Sequence, residues 1–234
     1  MLNFVLLLCT YCILIFIGEV KKARRIQFQN KRLSIMKQFK CLLVTINSLL
    51  LASGMATAQD LRFGIEGGYA AADLGAKNTA TSLATLTSRT VTYTEEIASP
   101  AGRIFIEVPV RENISAEVGY FATSSLDATY KFSGTTVTVK EGATANGIDF
   151  GAKLNVNDIM FFRAGLHRSH LNQSVTVAIS GTSYTASLSQ SGTGSYFGGG
   201  FNLDDNLSFG VTQYLDLGGL SGSDATFFFV GYRF

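Results

Sequence analysis

Residues 224–234 read DATFFFVGYRF, and at a period of two they sort into unlike sets, Phe228, Val230, Tyr232 and Phe234 on one face and Phe229, Gly231 and Arg233 on the other. One face is greasy to its last residue, while the other mixes an aromatic ring with glycine and a charge. A strand of that kind suits a closed sheet in hydrocarbon, where apolar side chains meet lipid and every backbone group pairs with a neighbouring strand.

Working back along the chain, the same alternation recurs over segments of about ten residues, the signature of barrel strands. Eight are expected: 61–69, 103–110, 114–122, 146–154, 159–167, 196–203, 207–215 and 226–234. From residue 59 onward no helical period is expected, and proline occurs only as Pro100 and Pro109. Short connections rich in Asn and Asp (111–113, 155–158 and 204–206) alternate with long ones (70–102, 123–145, 168–195 and 216–225). That places all turns at one end and all long loops at the other, as in a bacterial outer-membrane barrel. The fold expected is all-β, an eight-stranded antiparallel up-and-down transmembrane β-barrel. Two of the long loops carry hairpins of their own, turning at Ser133-Gly134 and Ser180-Gly181 among β-branched and hydroxyl residues, so strands are expected to continue into water.

The segment before the strands reads differently. Residues 36–58 have the grammar of a secretory signal: Lys37 and Lys40, an apolar run from Cys41 to Ala52, then Ala56-Thr57-Ala58 as a cleavage site. Residues 1–35 are read as upstream sequence ahead of the true start, with a short hydrophobic anchor as the alternative, and 59–234 as the barrel. Eight of the 19 basic residues and one of the 17 acidic residues fall before residue 59, which leaves 11 bases against 16 acids. The barrel is therefore acidic, and the basic balance of the whole chain gives no support for a nucleic-acid partner. All three cysteines, Cys9, Cys12 and Cys41, also precede residue 59, which excludes a disulfide, a thiolate nucleophile or a cysteine metal site in the barrel.

If the apolar set (Phe63, Ile65, Ile104, Ile106, Val108, Val118, Tyr120, Ile148, Phe150, Leu154, Phe162, Leu166, Phe209 and Val211) faces lipid, alternation turns a distinctive set inward. It consists of Arg62, Glu66, Arg103, Glu107, Glu117, Asp149, Lys153, Arg163, His167 and Arg233. An eight-stranded barrel is only wide enough for its own side chains, and buried charges persist when paired. An ion-pair plug is the simpler reading, and a polar pathway for small solutes is the competing one.

The stretches GRIFIEVPVRENISAEVGYF (102–121), GIDFGAKLNVNDIMFFRAGL (147–166) and the terminal FFFVGYRF resemble, in their order and spacing, the OmpA-like transmembrane domain family, which includes OmpX- and Ail-type barrels. The resemblance covers nearly all of 59–234. It implies an outer-membrane barrel in a Gram-negative envelope, surrounded by lipid and lipopolysaccharide. It also implies folding by the barrel-assembly machinery, which recognises the terminal strand through Phe228, Val230, Tyr232 and Phe234, and loops that contact host or cell-surface ligands. The chain has no Trp, so interface anchoring is expected from Tyr69, Tyr120, Phe201, Tyr214 and Tyr232.

Other chemistry is weaker. His167 and Ser169 have the spacing of a base and nucleophile on one strand face, as in a lipid A-modifying enzyme, but that face is the lumen and no acid stands at matching depth. His167 and His170 fall on opposite faces, which argues against a metal site. The glycine-rich run 192–200 lacks the helix a phosphate loop needs. Lys131, Lys140 and Arg168 fall near the outer rim, where bases pair with lipopolysaccharide phosphates or stay solvated, and Glu95 and Glu96 read as solvated. The function expected is a non-enzymatic barrel without cofactors that presents surface loops for adhesion, surface interaction or envelope integrity, with a narrow porin-like channel for ions or small solutes as the alternative and a lipid A-modifying enzyme behind both.

Overall fold

The computed structural model describes residues 61–234; the upstream and signal segments expected in residues 1–58 lie outside the described residues. The elements are β1 (Arg62–Ala71), α1 (Ala76–Thr87), β2 (Val91–Glu95), β3 (Ala98–Arg111), β4 (Ile114–Thr123), β5 (Leu126–Phe132), β6 (Thr138–Asn155), β7 (Met160–Ile179), β8 (Thr182–Asn202), β9 (Leu207–Leu215) and β10 (Ala225–Arg233). Eight of the ten strands close on themselves in the order β1-β3-β4-β6-β7-β8-β9-β10, each antiparallel to its neighbours. The ring is sealed where the first and last strands pair, Ile65 with Tyr232 and Gly67 with Val230. A closed ring leaves no edge within the barrel, which is the condition for strands to cross a membrane.

Alternation sets the two faces of the ring. Phe63, Ile65, Ile104, Phe150, Phe162, Leu166, Phe209, Phe228 and Val230 all point outward and are 41–66% exposed. Phe105, Phe121, Phe161, Phe227 and Phe229, one step away on the same strands, are buried inside. So many exposed aromatic and branched side chains would be costly in water, at about 25 cal/mol per Å² of apolar surface, and favourable against lipid.

The turn end is held by side chains chosen for the purpose. Asn157 Oδ1 accepts the N–H groups of Ile159 and Met160 at 3.0 and 2.6 Å, and Asp204 Oδ1 accepts those of Asn206 and Leu207 at 2.8 and 2.6 Å. These backbone donors hold the Asp204 carboxyl below the usual carboxylate range. At the other end β7 and β8 run for 20 and 21 residues. At about 3.3 Å per residue, 20 residues span roughly 65 Å, twice the ~30 Å hydrocarbon core even before tilt.

The upper parts of β6, β7 and β8 therefore leave the barrel. There β5 pairs with β6, and β2 adds on to β5, so a five-stranded sheet in the order β2-β5-β6-β7-β8 stands above the ring. The hairpin signals at Ser133-Gly134 and Ser180-Gly181 mark its two tips. At the second, Ser180 and Gly181 both take positive φ (47° and 86°), the backbone of a two-residue hairpin turn.

One element departs from the sequence reading. Residues 76–87, expected to be irregular, form α1. Its sequence, AKNTATSLATLT, is rich in Thr, a poor helix former, and the hydroxyls of Thr81, Ser82, Thr85 and Thr87 bond back to carbonyls four residues earlier. Packing decides the matter, because Ala76 and Ala80 are buried against Ala128 and Tyr130, with Leu74, Leu83, Val91 and Val139 around them.

Candidate functional site: a charged lumen and a protruding sheet

Inside the ring, Arg103 is the hub. From β3 its guanidinium donates to Asp149 on β6 through Nε (2.9 Å) and Nη2 (2.7 Å), to Glu117 on β4 (3.2 Å) and to Glu66 on β1 (3.4 Å). Arg163 on β7 shares Glu66 Oε1 with Arg103 through Nη1 at 2.5 Å, donates to Oε2 through Nη2 at 3.1 Å, and bonds Thr212 on β9. Nearer the turn end, Glu107 accepts from Ser115 at 2.8 Å and Lys153 at 3.3 Å and lies 3.8 Å from Arg233, which also donates to Asn202 at 2.9 Å.

The register explains why the charges must be shared this way. Glu107 faces Glu117 directly across β3 and β4, and Lys153 faces Arg163 across β6 and β7. Like charges in direct opposition destabilise a strand pair. Each member turns away from its twin, Glu117 to Arg103 and Glu107 to Lys153, so that four buried cations (Arg103, Lys153, Arg163, Arg233) meet four buried anions (Glu66, Glu107, Glu117, Asp149). Rings stack on the cations as well: Phe105 lies 4.9 Å from Arg103, Phe161 4.7 Å from Lys153 and Phe229 4.4 Å from Arg163.

Room for the hub comes from Gly119, which occupies the inward position between Arg103 and Asp149. A Cβ there would come within 2.6 Å of Arg103 Nε and 2.8 Å of Asp149 Oδ1. Above the ions, Tyr214 donates to Asp149 Oδ2 at 3.0 Å and packs with Phe121, Tyr196 and His167. The loop after β9 covers this layer. Leu217 is buried beside Phe121, Leu171 and Phe227, and the N–H of Gly218 donates to Ser169 Oγ at 2.8 Å.

The sequence-predicted lumen residues are thus brought together with two exceptions. Arg62 has the inward parity but lies at the barrel end, exposed, and takes no part in the ion pairs of the described residues. His167 is inside but bonds a backbone carbonyl, Nε2 donating to Leu215 O at 2.8 Å, rather than a carboxylate. With His167 bonded to the end of β9 and Ser169 to the loop that follows, the base–nucleophile reading has no geometry behind it. His170 does meet a serine, Ser191 Oγ at 2.5 Å on the outer face, but among the described residues no carboxylate bonds its ring. Tyr214 is a correction: expected at the membrane interface, it is 3% exposed and belongs to the lumen, whereas Tyr69, Tyr120, Phe201 and Tyr232 face outward. Thr212, Ser115, Asn202 and Gly119 are members of the site that sequence reasoning missed.

Above the ring the faces exchange chemistry without losing parity. On β7 the outward positions run Phe162, Ala164, Leu166, then Arg168, His170, Asn172, Ser174, Thr176; on β8 they run Phe201, Gly199, Phe197, then Ser195 to Ser183 in hydroxyl residues throughout. Lipid-facing chemistry ends at Leu166 and Phe197, and water-facing chemistry begins. Lys140, on the outward side of β6, pairs with Asp127 at 2.7 Å. Burial pulls the Asp127 carboxyl up, but hydrogen bonds from Lys140 and Ser125 outweigh it and hold the group below the usual carboxylate range. On the inner side Tyr130 OH donates to Glu141 at 2.9 Å, and burial together with that carboxylate pushes its phenol up to about 12. Glu95, expected to be solvated, accepts the N–H of Leu74 at 3.0 Å and ties the first loop to β2.

No family model and no curated protein matches the chain. Solved structures do. Ail, the attachment invasion locus protein of Yersinia pestis, in complex with the heparin analogue sucrose octasulfate, matches at 13% identity and a TM-score of 0.46, over 75% of this chain and 99% of that one. Neisserial surface protein A matches at 10% identity and 0.32, over 74% and 96%. The outer membrane protein OprG from Pseudomonas aeruginosa matches at 8% identity and 0.34, over 74% and 95%. The barrel itself rests on the strand pairing described above.

Proposed function

We propose that the chain is a non-enzymatic barrel of the Gram-negative outer membrane whose work is done by the sheet it raises above the lipid, in contact with host, phage or neighbouring cell surfaces. The observation that supports this reading is the exchange of face chemistry on β7 and β8 at Leu166 and Phe197, above which the five-stranded sheet stands. Two edges of that sheet are free among the described residues: β2 pairs only with β5, and β8 between residues 182 and 194 pairs only with β7. Unpaired edges and loops on a rigid scaffold are common recognition surfaces. In this reading Phe228, Val230, Tyr232 and Phe234 serve the barrel-assembly machinery, and Arg168, at the level where the apolar band stops, meets lipopolysaccharide phosphates.

The lumen argues against transport. Four cations and four anions neutralise one another across it, and the last loop lies on top. Single-channel recordings of the refolded barrel in planar bilayers are expected to be silent, for wild type and for Arg163→Ala; steady wild-type conductance would put the channel reading first. The surface reading is tested by deleting residues 172–189, the upper part of the β7–β8 hairpin. The shortened barrel is expected to insert normally and to lose adhesion or serum resistance, and full retention of both would sink the proposal.

A further inference from the structure

The two faces of the protruding sheet are unlike. The outer face carries Thr, Ser and Lys. The inner face is apolar, and its rows are in register across strands: Leu126, Ala143, Gln173, Leu188; then Ala128, Glu141, Val175, Ala186; then Tyr130, Val139, Val177, Tyr184. At three successive heights β5 and β8 present the same side chains: leucine (Leu126 and Leu188), alanine (Ala128 and Ala186) and tyrosine (Tyr130 and Tyr184).

Their surroundings differ. On β5 the trio is buried, at 5%, 0% and 0% exposure, and α1 lies over Ala128 and Tyr130 with Ala76, Ala80 and Leu83. On β8 it is bare: Leu188 is 62% and Tyr184 56% exposed, with Ala186 exposed between them and Val175 (38%) and Ile179 (45%) alongside on β7. A contiguous apolar patch on a strand pair whose other face is polar marks a contact surface.

We propose that this bare half-face docks an amphipathic helix of a partner polypeptide beside α1, with small residues against Ala186 and basic residues along one edge. The helical occupant is argued from continuity: the patch extends the α1 interface and repeats its side chains at the same heights. Three strand spacings, about 14 Å, separate β5 from β8, enough for a second helix of about 10–12 Å diameter next to the first. The basic edge follows from charge. Glu141 on β6 stands on the inner face between the α1 site and the bare strands, Glu95 lies on β2 at the far edge of the sheet, and Lys131 and Lys140 are on the outer face.

The inference rests on the surface-contact reading, and the experiment separates the two. The probe is a labelled 16-residue peptide with Ala, Ala and Leu at the spacing of Ala76, Ala80 and Leu83 and Lys along one flank, titrated against the full barrel in nanodiscs. Its controls are a scrambled peptide and an extended peptide of alternating Val and Thr. The barrel is wild type or carries Tyr184→Lys with Leu188→Lys, both exposed positions, and heat-modifiable gel mobility confirms folding. Saturable binding of the helical peptide alone, weakened at least about tenfold by the two lysines, is the expected result. Absence of saturable binding, indifference to the lysines or preference for the extended peptide would overturn the proposal. Association of nanodiscs with one another that the lysines abolish would assign the face to a second copy, and equally overturn it. Cells carrying the lysine pair but adhering normally, while cells lacking residues 172–189 do not, would reject the helix site and leave the surface reading intact.

Discussion

Removing the hub cation tests the lumen most directly. Arg103→Met keeps the aliphatic stem but deletes a guanidinium that makes four hydrogen bonds to three carboxylates. The three anions are not equally harmed. Glu66 keeps Arg163 and Asp149 keeps Tyr214, whereas Glu117 loses the ion pair it makes in the described residues. One uncompensated buried carboxylate costs about 3–5 kcal/mol; we expect about 4 kcal/mol. With m near 2 kcal/mol/M, that moves the urea midpoint down by about 2 M. The chain lacks Trp, so unfolding in lipid is followed by far-UV circular dichroism and by gel mobility. Adding Glu117→Gln removes the stranded charge, and the double variant is expected to recover about half the loss, a coupling of about 2 kcal/mol plus whatever Glu117→Gln costs alone. A loss below about 1 kcal/mol for Arg103→Met, or strictly additive effects in the pair, would refute the reasoning, since it would mean that water rather than Arg103 solvates these acids.

Three further outcomes follow from named contacts. Gly119→Val should reduce the yield of folded barrel sharply, because the new Cβ falls within 2.6 Å of Arg103 Nε; refolding yield by gel shift checks it, with Gly67→Val, which meets nothing within 4 Å, as the tolerated control. Truncating Phe234 should slow insertion in cells while leaving refolding into detergent intact, which pulse-labelling against in-vitro kinetics separates. Because the Asp127 carboxyl is held below its ordinary value, the Lys140–Asp127 pair supports the β5–β6 hairpin above the ordinary aspartate range. That support is lost as pH falls through the depressed value, so NMR shifts of residues 126–143 should show an acid step that Asp127→Asn removes.

How legible the molecule was depends on which interactions are local. The eight ring strands, their faces and the two hairpin tips follow from period-two alternation and turn residues, both written in short windows. The lumen charges were visible for the same reason, since a charge at an inward position of a barrel strand has nowhere else to go. Arg62 shows the limit: its parity is right, but parity says nothing of where the barrel stops. Thr212, Ser115 and Asn202 carry no charge to advertise them; Thr212 and Asn202 reach partners 49 and 31 residues away, and Ser115 meets Glu107 across the adjacent β3–β4 hairpin. Tyr214 was misplaced because a tyrosine near a strand end resembles an interface anchor, although Phe209 and Val211 outward place residue 214 inside. The helix was missed because its stability comes from Tyr130 and Ala128, more than 40 residues on.

The lumen and the sheet are one mechanical object. β6, β7 and β8 pass from the ring into the water without a break in pairing, from Asn155 opposite Phe161 to Thr138 opposite Ala178. Whatever fixes their positions inside the ring also fixes the aim of the sheet above it. Asp149 on β6 and Arg163 on β7 are tied to β1, β3 and β9 through Glu66, Arg103 and Thr212, and the loop after β9 clasps β7 at Ser169. Charged cross-bracing is a costly way to fill a barrel, since apolar side chains of equal volume are often as stable. Its advantage here is directional. Hydrogen-bonded ion pairs hold five strands in one register and one rotation, where a greasy core would tolerate slippage. A sheet that recognised partners by the placement of its edges and its inner face, as proposed, would need that fixity, and on that proposal the lumen is the foundation of the surface rather than a blocked pore.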